Sequence, residues 1–109
     1  MRKVANLVFG FRDLNLEASR SLVERQLGIC FRLHNSIYRG GDYYRAEVGD
    51  ELFFICLNCN VDGTLEYPDN SEFDVFLLVE ETERADYIKE VLAERGAALI
   101  DYEPWELDH

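Results

Sequence analysis

The hydrophobic positions in the first quarter of the chain follow two successive periods. Every second residue of 5–11 is apolar, which predicts a strand with at least one buried face. Residues 16–27 carry apolar side chains at helical spacing, and Gly28 supplies a left-handed stop. With Asp13 or Asn15 as its N-cap, this second segment is predicted to be an amphipathic helix.

Three consecutive antiparallel strands are predicted next. A period of two returns over residues 29–37, and the Gly-Gly-Asp sequence at 40–42 is a turn signal. The alternation resumes over residues 44–48, and the Gly-Asp pair at 49–50 forms a two-residue hairpin loop. This loop leads into a strand over Glu51–Leu57.

The rest of the chain predicts a loop, a strand, a helix and a final strand. Residues 58–72 are polar and rich in turn-forming residues, so they should form a surface loop. The apolar run 73–79 is typical of a strand covered on both faces. A helix is predicted over residues 84–94 with Thr82 as its cap, and a last strand over residues 98–102.

The predicted element order is βαβββ followed by βαβ. We therefore expect an α+β fold in which two helices pack on one face of a mainly antiparallel sheet. A chain of 109 residues is the size of one ordinary domain, so residues 1–109 should form a single α+β domain.

The sequence also bounds the compartment. The N-terminus has only a short apolar run and no small-residue cleavage site, and no apolar run approaches the roughly 20 residues of a membrane span. We therefore expect a cytoplasmic protein. Its three cysteines are expected to be reduced thiols.

Charge is unevenly distributed along the chain. Up to Gly41, seven Lys or Arg face three acids, a net of +4, whereas from Asp42 onward four bases face 19 acids, a net of −15. An acidic surface repels nucleic acid and anionic membranes and attracts a basic partner. Solubility alone is the alternative explanation of this acidity.

Candidate metal ligands are few. Cys56 and Cys59 have the spacing of a thiol pair, and Cys30 with His34 could supply two more ligands. In a straight strand, however, Cys30 and His34 would lie roughly 13 Å apart, because each residue advances about 3.3 Å. We expect no metal and no cofactor.

No catalytic constellation is apparent either. His34 and His109 are the only histidines, and none of the serines has a nucleophile signature around it. Carboxylates are so abundant that two of them lie close by chance, so proximity is no evidence of acid-base chemistry. We expect a binding protein and not an enzyme.

Aromatic and acidic residues at two places predict the binding surface. Tyr38 and Tyr43 flank the first hairpin turn, and exposed tyrosine beside acids is typical of recognition surfaces, although cross-strand packing explains it as well. The C-terminal segment adds a second such cluster, which could dock on the sheet or meet a partner. The predicted partner-binding residues are Tyr38, Asp42, Tyr43, Glu47, Glu103, Trp105 and Glu106.

Two stretches resemble a known scaffold. LVERQLGICFRLHNSIYRGGDYYRAEVGDELFFICL, residues 22–57, looks like the helix and three strands of the βαβββ module of the vicinal oxygen chelate superfamily, the glyoxalase and bleomycin-resistance proteins. FLLVEETERADYIKEVLAERGAALI, residues 76–100, resembles the opening of that family's second module. Family enzymes hold a divalent metal with His and Glu on their strands. In this chain Asn6 and Asp74 stand on the corresponding strands without a His, so the resemblance implies the architecture and not the metal.

The phrase SIYRGGDYY, residues 36–44, in a short acidic chain also looks like the small immunity proteins encoded beside bacterial polymorphic toxins. Such proteins bind one toxin domain and block it, often meeting a basic nuclease surface with an acidic patch. This resemblance implies a non-enzymatic protein, monomeric or homodimeric, that neutralises a basic protein partner such as a nuclease toxin domain. The alternative implied by the first resemblance is a small-molecule binding protein or a divergent metalloenzyme.

Overall fold

A computed structural model describes residues 2–37, 41–59 and 63–107 of the chain. The element order βαβββ-βαβ is confirmed. The elements are β1 (Arg2–Phe11), α1 (Leu16–Leu27), β2 (Arg32–Ser36), β3 (Gly41–Val48), β4 (Glu51–Leu57), a short 3-10 turn (Pro68–Asn70), β5 (Val75–Thr82), α2 (Ala85–Ala93) and β6 (Ala98–Leu107).

The six strands form one sheet in the order β2-β3-β4-β5-β1-β6, and every neighbouring pair is antiparallel. The predicted α+β class is therefore confirmed. The first strand of the chain lies between β5 and β6, so strands from both halves of the sequence form one continuous sheet. β2 and β6 are the two edges.

Local signals explain where α1 begins and ends. The side chain of Asn15 accepts a hydrogen bond from the backbone N–H of Ala18 at 2.8 Å, which satisfies one of the donors left unpaired at a helix start. Gly28 ends the helix with φ 67°, the left-handed conformation that favours glycine. Asn15 is thus the cap, and not Asp13.

The two helices cover the same face of the sheet, as expected. Alternate residues of the central strands, such as Phe9, Phe53 and Leu77, are buried there in one cluster with Val23 of α1 and Ile88 of α2. A fully buried side chain of this kind contributes about 1.5–3 kcal/mol relative to leaving it in water. This cluster fixes α1 and α2 on the sheet.

The opposite face of the sheet is partly covered by the segment after β4. The ring of Phe73 lies over Gly10, and a Cβ at Gly10 would come within 2.5 Å of that ring, so only glycine fits there. Tyr67 packs against Phe76 with ring centroids 4.5 Å apart. Asn58, which is buried, holds the segment in place through its side-chain amide. Asn58 of the predicted surface loop is therefore buried, and Phe73, predicted to open the next strand, instead packs on the sheet before β5 begins at Val75.

Some predicted boundaries differ from the structure. β2 is shorter than the apolar alternation, since Ile29 and Phe31 precede it and Ile37 follows it. Thr82 is not the N-cap of α2, because Arg84 holds that position. The Thr82 hydroxyl instead donates to the buried carboxylate of Glu51 at 2.6 Å and accepts from the Arg84 backbone N–H at 3.1 Å.

The same carboxylate also receives the side chain of Arg84. The guanidinium binds both oxygens of Glu51, with distances from 2.9 to 3.2 Å, which gives a bidentate ion pair. It ties the start of β4 to the connection between β5 and α2.

Candidate functional site

The structure divides the predicted partner-binding residues between two parts of the sheet. Asp42, Tyr43 and Glu47 lie on β3, whereas Glu103, Trp105 and Glu106 lie on β6. Three strands separate β3 from β6, a distance of about 19 Å at the usual strand spacing. Tyr38 lies outside the described residues. The predicted set is therefore not one continuous patch.

The C-terminal segment docks on the sheet, which was one of the two possibilities left open by the sequence. It forms β6 and pairs with β1 from Arg2 opposite Leu107 to Gly10 opposite Ala98, and Trp105 lies opposite Val4. Glu103 and Glu106 are exposed on this edge strand.

Tyr43 packs across strands on the face opposite the helices. Its ring stacks on His34 with centroids 5.4 Å apart and lies 6.4 Å from the ring of Phe54. Arg45 lies 6.0 Å from the Phe54 ring and binds Glu47 at 2.7 Å. The surroundings of Tyr43 and Glu47 are therefore aromatic and cationic as well as acidic.

A groove lies on the helix-covered face, between the first turn of α1 and the adjoining ends of β2, β3, β4 and β5. Its volume is about 580 Å³. We call it the acidic groove and define it by its apolar residues Leu14, Leu16, Leu33, Tyr44 and Leu57 and its carboxylates Asp13, Glu17, Asp42 and Asp74. Among the predicted partner-binding residues that the structure describes, Asp42 alone lines it.

Among the residues that the structure describes, no Lys or Arg lines the acidic groove beside its carboxylates. Asp42 accepts a hydrogen bond from the neutral side chain of Asn35 at 2.9 Å. Glu17 has only a distant ion pair with Arg20, at 3.9 Å. The four acids therefore present net negative charge around apolar walls.

Arg20 lies beside Tyr44 of the acidic groove, and it is already engaged. Its guanidinium lies 5.4 Å from the ring of Tyr44 and binds Glu24 at 2.7 Å. Burial acts to lower the pKa of Arg20, but Tyr44 and Glu24 outweigh it, so the pKa lies above its ordinary value. The Glu24 carboxylate also accepts a hydrogen bond from the backbone N–H of Phe31, and this bond holds the Arg20–Glu24 pair in place.

Most residues of the acidic groove escaped the sequence analysis. They come from several separate elements, and no local motif marks their convergence. One sequence signal does point to the groove. Asp13 follows the end of β1 and Asp74 precedes the start of β5, and both strands are buried on the helix side. Asp13 also adopts φ 57°, a conformation that few non-glycine residues adopt.

A second cavity of about 510 Å³ lies between the start of α2 and the end of β6. We call it the α2–β6 cavity. Tyr87, Tyr102 and Trp105 line it, together with residues of both charge signs such as Lys3 and Glu106. The Nζ of Lys89 lies 4.0 Å from the centroid of the Tyr102 ring. This cavity contains the aromatic residue that was predicted on the C-terminal segment.

The candidate metal ligands do not converge within the part of the chain that the structure describes. No group of three or more His, Cys, Asp or Glu residues there could hold a metal ion. Cys30 is exposed, Cys56 and Cys59 are half-buried, and no two of the three are joined by a disulfide. β4 ends at Leu57 and the chain bends at Asn58, so Cys56 and Cys59 do not share one straight strand.

Neither α1 nor α2 has the length and apolar character needed to cross a membrane, and these are the two α-helices among the described residues. Comparisons of this chain with protein families, with curated proteins and with solved structures found no match.

Proposed function

We propose that this chain is a non-enzymatic acidic binding protein that neutralises a basic protein partner, in the manner of an immunity protein that blocks its toxin. The acidic groove is the observation that carries this proposal. It combines apolar side chains, of which Leu33 and Leu57 are exposed, with four carboxylates, and no Lys or Arg is among the described residues that line it. Interfaces that join apolar contact with complementary charge are typical of specific protein recognition.

The long acidic run of the sequence supports the same proposal. Between Arg45 and Arg84 there are eleven acids and no Lys or Arg. Four of them, Glu66, Asp69, Glu72 and Asp74, are exposed on the segment that follows β4. Asp74 is one of the carboxylates of the acidic groove. A basic partner approaching this side is attracted over a distance comparable with the Debye length, about 8–10 Å in physiological salt.

The proposal is tested by co-expressing this chain in bacteria with a basic toxin domain encoded beside its gene. The chain should restore growth and form a complex with the toxin domain. Combined substitutions Glu17→Gln, Asp42→Asn and Asp74→Asn in the acidic groove should abolish protection, since they remove three carboxylates without changing side-chain size. The measurements are growth and the dissociation constant of the complex.

A matched variant with Glu90→Gln, Glu94→Gln and Asp101→Asn controls for net charge. These residues are exposed on α2, just after it and on β6. This variant loses the same number of negative charges, three, and should still protect the cells from the toxin. Equal losses in both variants would count against the acidic groove, and a toxin domain that the chain neither binds nor blocks would refute the proposed function.

A second candidate function is small-molecule binding, and the α2–β6 cavity is the observation that favours it. Its volume lies within the range of ligand pockets, and its aromatic walls are typical of them. Trp105 lines the cavity and is the single tryptophan of the chain, so its fluorescence reports on occupancy. Saturable quenching by a small organic ligand would favour this function over the first.

A further inference from the structure

The two edges of the sheet differ in how they are protected from pairing with another strand. β6 carries Pro104, which has no N–H to donate, and the exposed acids Asp101, Glu103 and Glu106. Proline and charge on an edge strand prevent pairing with other chains. The β6 edge is therefore closed to strand addition, most of all by another acidic chain.

β2 carries less of this protection, since Arg32 is the one Lys, Arg, Asp or Glu among its five residues. It has five residues and no proline, and its outer edge pairs with no strand in the described part of the chain. Leu33 on β2 is 60% exposed and Ile37 just beyond it is 64% exposed, the two highest values among the large hydrophobic side chains that the structure describes as exposed. Such an edge is a template for a further strand.

The β2 edge adjoins the acidic groove, since Leu33 belongs to both. Leu33 lies opposite Tyr44 and Asn35 opposite Asp42 on the groove side of the β2–β3 hairpin. Arg32 and His34 alternate with them along the strand and therefore face the other side. A strand added to β2 would place every second side chain against apolar and acidic groups, and the others near Arg32 and the ring of His34.

We propose that the basic partner adds an extended segment to the outer edge of β2 and places alternate Leu-like and Lys or Arg side chains in the acidic groove. This inference rests on the proposed function and names how the partner is held. Backbone hydrogen bonds to β2 give affinity, and the side chains in the groove give specificity. Positions facing Arg32 should exclude Lys and Arg. A second copy of this chain fits less well, because each copy carries a net charge of −11 and would bring its own acids to the edge.

The probe for this inference is a nine-residue synthetic peptide with threonine at the odd positions and lysine and leucine in turn at the even positions. Two further peptides carry N-methyl groups on either the odd or the even amides, because N-methylation removes the hydrogen-bond donors of one edge. Binding is followed by NMR of the whole chain, with hydrogen exchange of the β2 amides of Leu33, His34 and Asn35.

Strand addition predicts slower exchange of alternate β2 amides, and about tenfold weaker binding for one N-methylated peptide than for the other. Leu33→Ser should weaken binding about fivefold, because the leucine side chains of the peptide lose an apolar contact. Leu99→Ser is the matched control, since Leu99 is 45% exposed on the protected β6 edge, and it should leave binding unchanged.

Three outcomes overturn the inference. The first is no binding of the peptide. The second is equal binding of both N-methylated peptides without protection of β2, in which case the acidic groove acts without strand addition. The third is concentration-dependent protection of β2 without peptide, together with a doubled mass in light scattering, which makes a second copy the occupant. The proposed function is judged separately by the growth experiment. It survives each of these results if cells lose their protection from the toxin only with the groove variant and not with the matched control.

Discussion

Ser19 is a polar residue that the fold buries without a hydrogen-bond partner. Its side chain on α1 is completely buried, and its Oγ has no partner among the described residues. A buried hydroxyl without a partner costs about 1–3 kcal/mol of desolvation. Removing it should therefore stabilise the protein, in contrast to most substitutions in a core.

We predict that Ser19→Ala raises the free energy of unfolding by about 1 kcal/mol, because it removes the desolvated hydroxyl and slightly favours the helix. The measurement is chemical denaturation. Ser21→Ala is the matched control, since Ser21 lies half-buried in the same helix and undergoes the same change in helix propensity. A Ser19→Ala variant less stable than Ser21→Ala would show that the hydroxyl has a partner.

Glu81 shows what sequence reasoning misses at the scale of one residue. The register of β1 and β5 shifts between Ala5 and Leu7, and Glu81 adopts φ 56° at that bulge. The side chain of Asn6 accepts a hydrogen bond from the Glu81 backbone N–H at 3.0 Å and so supports the bulge. A glutamate gives no sign of a left-handed backbone, so no pattern in the sequence predicts this irregularity.

At the scale of elements, segments with signals at both ends were predicted to the residue. Leu16–Leu27 has an asparagine cap and a glycine stop, and Glu51–Leu57 follows a two-residue hairpin loop. Pairing between distant strands left no such signal. The placement of β1 between β5 and β6, and with it the assembly of the acidic groove, depends on contacts far apart in sequence that a local pattern does not contain.

The segment after β4 is a second element whose role the sequence concealed. Its composition predicts a loop, yet Asn58 organises it from inside. The Asn58 side chain donates toward the carbonyls of Tyr67, Asn70 and Phe73 at 3.1–3.5 Å and accepts from the Tyr67 N–H at 2.8 Å. An isolated glycine in a strand, such as Gly10, is a usual mark of close approach, and it is where Phe73 packs.

We predict that Asn58→Ala lowers the free energy of unfolding by about 2–3 kcal/mol, because it leaves buried backbone groups without partners and loosens Phe73 on the sheet. Denaturation measures the loss, and hydrogen exchange at Tyr67 locates it. Asn70→Ala removes the same kind of side chain from the same segment, where Asn70 contributes backbone groups to these contacts. It should cost much less, and equal costs would contradict the role of Asn58.

At the scale of the whole molecule, charge and shape act on different steps of binding. The net charge of −11 acts at a distance and is screened by salt, whereas the apolar walls of the acidic groove act only on contact. Removing carboxylates should therefore mainly slow association, and truncating Leu33 or Tyr44 should mainly speed dissociation. The two kinds of substitution can be separated in one set of kinetic measurements.

We predict that the association rate with the basic partner falls steeply as salt is raised, while the dissociation rate changes much less. The groove variant Glu17→Gln, Asp42→Asn and Asp74→Asn should associate more slowly than the matched variant Glu90→Gln, Glu94→Gln and Asp101→Asn and show a weaker salt dependence. Both variants carry the same net charge, so a difference between them reports the position of the charges and not their number. If binding is indifferent to salt between about 50 and 500 mM, charge does not steer the encounter. The acidity of the chain would then serve solubility alone, which net charge far from zero promotes.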